Sequence, residues 1–352
     1  MTASNAYLER IKKLQESLTE LDGYFINNPV DLYYFTGIKM SFGHLYILKK
    51  SSCLFVEGKY LEAASSQDIV AVEEIGVSHE SVFLKGCRVL GFDGSYLTHD
   101  LLLSLRKTAR KSKTKLLSRP ALLHKLRLIK DAKEIRKMKK SAEFAYSAYQ
   151  YIRKKLKVGV TELELAKKLE IYCLEKGAER MSFDPIIAFG KNSALPHHHP
   201  GKTKLKANDI VLFDLGVVLD GYCSDMTRVD FVGKKNATLL KLYDVNRAAQ
   251  RMALAKCRPG VKLKELDIAA RRVMKSAELE HLFIHNLGHG VGLEVHESPS
   301  IRFDGRDRNL TLKEGMVITI EPGLYIPGKG GVRYEDTIVI TEKGYTNFYP
   351  EV

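Results

Sequence analysis

Two stretches of this 352-residue chain constrain its fold more than any other feature. VLFDLGVVLDGYCSDMTRV and ITIEPGLYIPGKGGVRYEDTIVI are apolar, β-branched runs interrupted by turn residues, the pattern of hairpins with a buried face. Each nevertheless carries acids inside its strands. In the first, Asp214 and Asp225 are symmetric about Leu219–Asp220; in the second, Glu321 and Glu335 are symmetric about Gly328. An even loop at the first turn, and an odd one at Pro327-Gly328-Lys329, make each pair direct cross-strand neighbours with Cβ atoms roughly 5 Å apart. Like charges opposed on a buried sheet face repel one another. A bound divalent cation resolves the repulsion, and four carboxylates can hold two metals about 3.5–4 Å apart. If either register slips by a residue, the acids instead pair with Arg228 and Arg333 as surface ion pairs.

Histidines add to the pattern. HNLGHGVGLEVHESP places His285, His289 and His296 in a glycine-rich segment, where Gly288, Gly290 and Gly292 let backbone approach a site closely. Its GxGxG echo lacks the strand–helix context and the acid of a dinucleotide site, so that reading is rejected. His296-Glu297 starts like HExxH, but Ser300 stands where the second histidine belongs, which excludes a zincin. His197-His198-His199 after Pro196 suits a polar loop or a metal tract equally. The chain has no Walker A motif, GxSxG elbow or CxxC pair.

Around these motifs the chain divides in two. The first hundred or so residues alternate helix-like and strand-like patterns, with a helix over Leu8–Leu21 and strands near Leu45–Val56, Ala71–Gly76 and Arg88–Phe92, as expected of a small α/β domain. Beyond a break near Pro120, Asp131 with Glu134, and Thr161 with Glu164, read as helix starts. Helices mixed with antiparallel hairpins indicate α+β rather than a doubly wound sheet. The domains are therefore drawn at 1–122 and 128–352.

The formal charge of +14 invites a nucleic-acid reading, but its location argues otherwise. Residues 106–140 hold fifteen Lys/Arg and two acids, leaving about +1 for the rest. With no aromatics interleaved, the block reads as a solvated connector and helix face, so nucleic acid is not an expected partner. Five cysteines, odd in number, and the lack of a secretory segment after Met1 suggest reduced thiols in a cytoplasmic protein. No apolar run approaches a membrane span, so no membrane partner is expected.

Taken in order, the strings LPH at Leu195–His197, FDLG around Asp214, SDMTR around Asp225, GHGVGLEVHE around His289, TIEPGLY around Glu321 and GVRYED around Glu335 resemble the metallopeptidase family of aminopeptidase P, prolidase and methionine aminopeptidase. The resemblance covers most of residues 130–352 and implies a C-terminal pita-bread fold. NPVDLYYFTG, Asn28–Gly37, is similar to the creatinase-type N-terminal domain of the Xaa-Pro branch, which methionine aminopeptidases generally lack.

By this resemblance Asp214 chelates one metal, Asp225 and Glu335 bridge both, and His289 and Glu321 ligate the other. The oxygen-rich set suits Mn²⁺ best, with Co²⁺ or Zn²⁺ able to occupy it. The implied reaction is attack of a metal-bridging hydroxide on the carbonyl before proline, with Glu321 as proton shuttle, His197 and His296 as donors to the oxyanion and substrate backbone, and Arg333 orienting a ligand carboxylate. The substrates implied are small peptides with proline second, and the assembly a homodimer. Such a bond needs a dedicated pocket, because the tertiary amide before proline has no N–H and an accessible cis state.

Within the family the sequence leans to an Xaa-Pro aminopeptidase over an Xaa-Pro dipeptidase. A dipeptidase must neutralise the free carboxylate of its substrate, and Ser300 stands where some prolidases have arginine, although Arg302, Arg306 and Arg308 follow closely. A catalytically silent binding protein on the same fold is the alternative of a different class, and the intact ligand positions weigh against it.

Overall fold

Turn chemistry and helix caps account for much of the architecture. The structure is a computed structural model that describes residues 3–350, and it divides into two compact units, Met1–Arg127 and Leu128–Val352. In the first unit, helices α1 (Ala3–Ser17), α2 (Pro29–Thr36), α3 (Gly58–Ser65), α4 (Val77–Phe83), α5 (His99–Ser112) and α6 (Ala121–Leu128) accompany one mixed sheet. Its strands are β1 (Gly23–Ile26), β2 (His44–Leu48), β3 (Ser52–Val56), β4 (Ala71–Glu74), β5 (Val89–Phe92) and β6 (Lys115–Ser118), in the order β4-β3-β2-β1-β5-β6. The helix in NPVDLYYFTG shows the expected asymmetry of its ends: Asn28 caps Val30 N, Pro29 opens the first turn and Gly37 closes at φ 71°. Phe25, Tyr46, Phe55, Leu84 and Leu105 form the core beneath this sheet.

Among the described residues the second unit holds four α-helices, α7 (Ala132–Arg153), α8 (Glu162–Glu175), α9 (Ala237–Leu254) and α10 (Leu263–Ser276). Both expected caps are full capping boxes, Asp131 with Glu134 and Thr161 with Glu164. The strands are β7 (Arg180–Met181), β8 (Ile186–Phe189), β9 (Ile210–Leu215), β10 (Val217–Leu219), β11 (Tyr222–Cys223), β12 (Met226–Phe231), β13 (Gly288–Gly290), β14 (Glu297–Ile301), β15 (Val317–Ile320), β16 (Gly323–Ile326), β17 (Gly330–Arg333), β18 (Asp336–Ile340) and β19 (Tyr345–Asn347). They form antiparallel sheets ordered β12-β9-β8 and β14-β13-β15-β18-β19, with short companions β11-β10-β7 and β16-β17. One apolar core joins α9 and α10 to these sheets, through residues such as Leu242, Leu266, Leu212, Ile318 and Ile338.

The two acid-bearing hairpins differ from each other in register. Leu219 pairs with Tyr222, so the first turn is Asp220-Gly221 rather than Leu219–Asp220, with φ 51° and 80°. Positive φ at both central residues is what a two-residue type I′ turn requires. Asp214 therefore faces Thr227, and Asp225 is its diagonal rather than its direct neighbour, which corrects the symmetric reading. The second hairpin turns at Pro327-Gly328-Lys329 as expected, with Ile326 opposite Gly330 and Gly323 opposite Arg333. The same register resumes at Ile320 opposite Asp336, so Glu321 and Glu335 oppose each other in the gap between the two ladders.

The basic block spans the boundary between the two units, and most of its cations face solvent as expected of a connector and helix face. It is built into α5, β6, α6 and α7, and two of its cations are buried: Arg127 pairs with Asp31 at 2.9 Å and Lys130 with Glu297 at 3.2 Å. All five cysteines are free and buried. Among the described residues no helix is long and apolar enough to cross a membrane.

Candidate metal centre

Strand register delivers the acids to one place. Asp214 is the penultimate residue of the fully buried β9, Asp225 precedes β12, Glu321 follows β15 and Glu335 precedes β18. His289 enters from β13, the strand beside β15. Ligand atoms of Asp225, His289 and Glu335 lie within 4.8 Å of one another. His289 Nε2 is 3.3 Å from Glu321 Oε1 and 3.6 Å from Asp225 Oδ2. Asp214 lines the same cleft, of about 580 Å³, as do His197 and His296.

The electrostatics of the cluster call for cations. Burial, reinforced by the neighbouring carboxylates, pushes the Asp225 and Glu335 carboxyls well above the ordinary range and raises Asp214 as well. Glu321 moves the other way: burial opposes its charge, but the hydrogen bond and charge of His289 hold it below the usual range. His289 is raised against its own burial by the same pairing. Without metal, Arg333 beside Asp214 and the pairing of His289 with Glu321 offset part of this buried negative charge. Asp214 Oδ1 and Glu335 Oε1 are buried with no hydrogen-bond partner, which is costly unless something binds them. His289 Nδ1 lies 2.9 Å from the Gly290 carbonyl, a bond that leaves Nε2 as the ligating nitrogen once its proton is displaced. This donor set fits hard divalent ions.

The surrounding residues fix the acids. Arg333 NH2 donates to Asp214 Oδ2 at 2.5 Å, its Nε to Thr227 Oγ1 at 3.1 Å and its NH1 to the Tyr325 hydroxyl at 2.8 Å. Thr227 donates in turn to Glu335 Oε2 at 2.8 Å. The Tyr349 hydroxyl and Thr337 Oγ1 both donate to the Asp225 carbonyl, at 2.7 and 3.0 Å. The two arginines weighed as surface partners are buried: Arg333 holds Asp214, and Arg228 pairs with Asp336 at 2.7 Å while donating to the Glu335 carbonyl.

Thr227, Tyr325 and Tyr349 are supporting residues that the motif spacing does not single out. The first two lie inside the quoted motifs, and the register would have shown Thr227 opposite Asp214; nothing in the local pattern marks Tyr349. The glycines around His289 also serve a different end. A Cβ on Gly288 would sit 2.0 Å from the Thr319 carbonyl oxygen, and one on Gly290 2.3 Å from that of Ser298, so they admit neighbouring strands rather than a ligand. His285 bonds the Tyr325 hydroxyl at 2.9 Å, and burial lowers its pKa; burial and nearby His289 lower that of His296. Arg302, Arg306 and Arg308 do not line the cleft, and Ser300 does, with its hydroxyl 2.9 Å from Asn286 Nδ2.

Comparison with known proteins gives concordant matches. Residues 136–342 match the model of metallopeptidase family M24, and residues 10–129 that of the creatinase/prolidase N-terminal domain. An Xaa-Pro dipeptidase of Pyrococcus furiosus is 37% identical over 341 residues, 96% of each chain. A prolidase structure from Pyrococcus horikoshii superposes with a TM-score of 0.90 at 34% identity, covering 98% of this chain and 99% of that one. An X-Pro aminopeptidase structure from Thermotoga maritima gives 0.88 at 29% identity, over 96% and 98%.

Proposed function

The chain belongs to metallopeptidase family M24, and from that premise we propose that it is an Xaa-Pro aminopeptidase, releasing the first residue of peptides whose second residue is proline. Relatives named for both Xaa-Pro dipeptidase and X-Pro aminopeptidase support the choice of bond. The observation that carries the choice between them is the lining of the cleft. Its polar walls are acids, histidines, Asn286 and Ser300, no lysine among the described residues lines it, and its arginine, Arg333, is committed to Asp214. No lysine or uncommitted arginine among the lining residues is placed to neutralise the carboxylate of a free dipeptide, whereas a longer peptide has none at that position.

Asp214, Asp225, His289, Glu321 and Glu335 would hold two divalent ions, with Mn²⁺ the best match to so many oxygen donors. Bound there, such ions supply Lewis acidity and lower the pKa of the attacking water. Glu321 takes the proton of that water and passes it to the prolyl nitrogen as the C–N bond breaks. His197 and His296 donate to the carbonyl oxygen and the substrate backbone. His296, its pKa lowered, does so as a neutral imidazole. Arg333 holds Asp214 in place.

The decisive assay offers Ala-Pro and Ala-Pro-Ala to the purified, Mn²⁺-loaded protein. Preferential cleavage of Ala-Pro-Ala is expected. Preference for Ala-Pro would establish the dipeptidase reading, which the names of the two Pyrococcus relatives favour. Cleavage of neither moves a silent binding protein ahead. We also read the protein as a cytoplasmic homodimer, with light scattering as the check on its assembly.

A further inference from the structure

The loop that carries His197 has little regular structure beyond a 3-10 turn at Gly190–Ala194, yet it must present a side chain to the cleft. A loop of this kind keeps its shape only if its polar groups find partners. Here they converge on one acid from another element. Glu162, the first residue of α8, is fully buried. Its Oε1 accepts from Phe189 N and Asn192 Nδ2, both at 2.8 Å. Its Oε2 accepts from His198 Nε2 at 2.9 Å and Gly201 N at 3.1 Å. An ionised carboxylate has about four lone-pair directions, and all four are used. Because that carboxylate only accepts, His198 must carry its proton on Nε2 and spend it there. The far side of the segment is tied down as well: Gly331 N donates to Ser193 Oγ at 2.8 Å, and Arg333 NH1 to the Pro196 carbonyl at 3.4 Å.

We propose that Glu162 is a positioning residue for the reaction. Its carboxylate sets the loop from Phe189 to Gly201 so that His197 faces the scissile carbonyl, and it withdraws the adjacent His198 from the chemistry by occupying Nε2. This separates two neighbouring histidines that both line the cleft and that spacing alone left equivalent. The inference rests on the peptidase reading and on His197 as the donor.

The test is a double-mutant cycle between Glu162→Gln and His197→Ala on Ala-Pro-Ala. Glutamine keeps the shape but turns two acceptor sites into donors that face donors. Glu162→Gln is expected to lower kcat about 10–100-fold with KM within about threefold, the size typical of losing a group that orients a reacting one. Mn²⁺ affinity by calorimetry stays at the wild-type value, and the double variant is no slower than His197→Ala within about threefold, because both changes remove one contribution. Losses that multiply, a wild-type kcat in Glu162→Gln, or a fall explained by weaker metal binding would each overturn the proposal. His198→Asn keeps a donor toward Glu162 and should cost less than His197→Ala; the reverse order overturns it too. If Glu162→Gln does not fold, Asn192→Ala removes one donor from the same oxygen, and the same cycle decides. An inactive wild-type protein would sink the peptidase reading instead. In that case the imidazole ¹⁵N spectrum still reads the loop: Glu162→Gln must shift His197 as well as His198, and an unmoved His197 signal counts against it.

Discussion

The two hairpins that carry the acids solve the same problem in different ways. In the first, the two-residue turn Asp220-Gly221 sets the register, so Asp214 faces Thr227 and Asp225 stands on the diagonal. In the second, a three-residue turn leaves Glu321 directly opposite Glu335 where the ladder opens between Ile320 and Gly323. A diagonal pair stands farther apart than a direct one, and the position directly opposite Asp214 goes to Thr227, which serves both Arg333 and Glu335. The lesson is that turn length, and not the symmetry of charged residues about an apparent centre, decides which side chains meet.

The largest test of the contrast is at the direct pair. Glu321→Gln, with metal content matched to wild type, should lower kcat by about 10²–10⁴-fold, as expected when a proton-transfer group is lost; near-normal turnover of Ala-Pro-Ala would end the shuttle role. The first hairpin can be broken at its backbone instead. A Cβ at Gly216 would lie 1.9 Å from the Ser224 carbonyl oxygen, so Gly216→Ala should cost about 3 kcal/mol in denaturant unfolding. Arg333 ties the end of β17 to Asp214 of β9, so it joins the two hairpins. Arg333→Lys, which cannot reproduce three directed donors, should weaken metal binding about 10–100-fold by calorimetry. The turn of the second hairpin is more forgiving: Gly328 has φ 75° but open space around it, so Gly328→Ala should cost only about 1–2 kcal/mol.

The smallest effect concerns pH. Asp225 and Glu335 have folded pKa values raised by burial and then by neighbouring carboxylates. The metal-free folded protein therefore holds protons that the unfolded chain releases near pH ~4, and these groups stabilise it less as pH rises from there towards neutrality. Metal replaces those protons, so the gain in Tm on adding Mn²⁺ should be larger at pH 7.5 than at pH 5.5, by a few degrees for a domain of this size. An equal gain at both values would show that the acids are ionised without metal.

Local signals made much of this legible. Asn28-Pro29 and Gly37 bracket a helix, and the capping boxes at Asp131 and Thr161 start two more, because caps are written within four residues. The second hairpin is legible because Pro327-Gly328-Lys329 is a compact three-residue turn that fixes its register. The first departs from the symmetric expectation because Asp220-Gly221, a strong turn signal, sets the register and the symmetry of the acids does not. Net charge does not reveal which cations of the basic block find buried acids, as Arg127 and Lys130 do. Glu162 and Tyr349 were invisible for a related reason: their partners lie far along the chain, and only the fold brings them together.

The hydrogen bond from Tyr349 to the Asp225 carbonyl has a consequence in time. The five candidate ligands span Asp214 to Glu335, so a chain emerging from the ribosome presents all of them before this support exists. The strand pairs that align the acids have their partners by Ile340, but the backbone of Asp225 is not held from both Thr337 and Tyr349 until fourteen residues after Glu335 have followed. The support of Asp225 is thus completed by a residue that follows every candidate ligand in the chain.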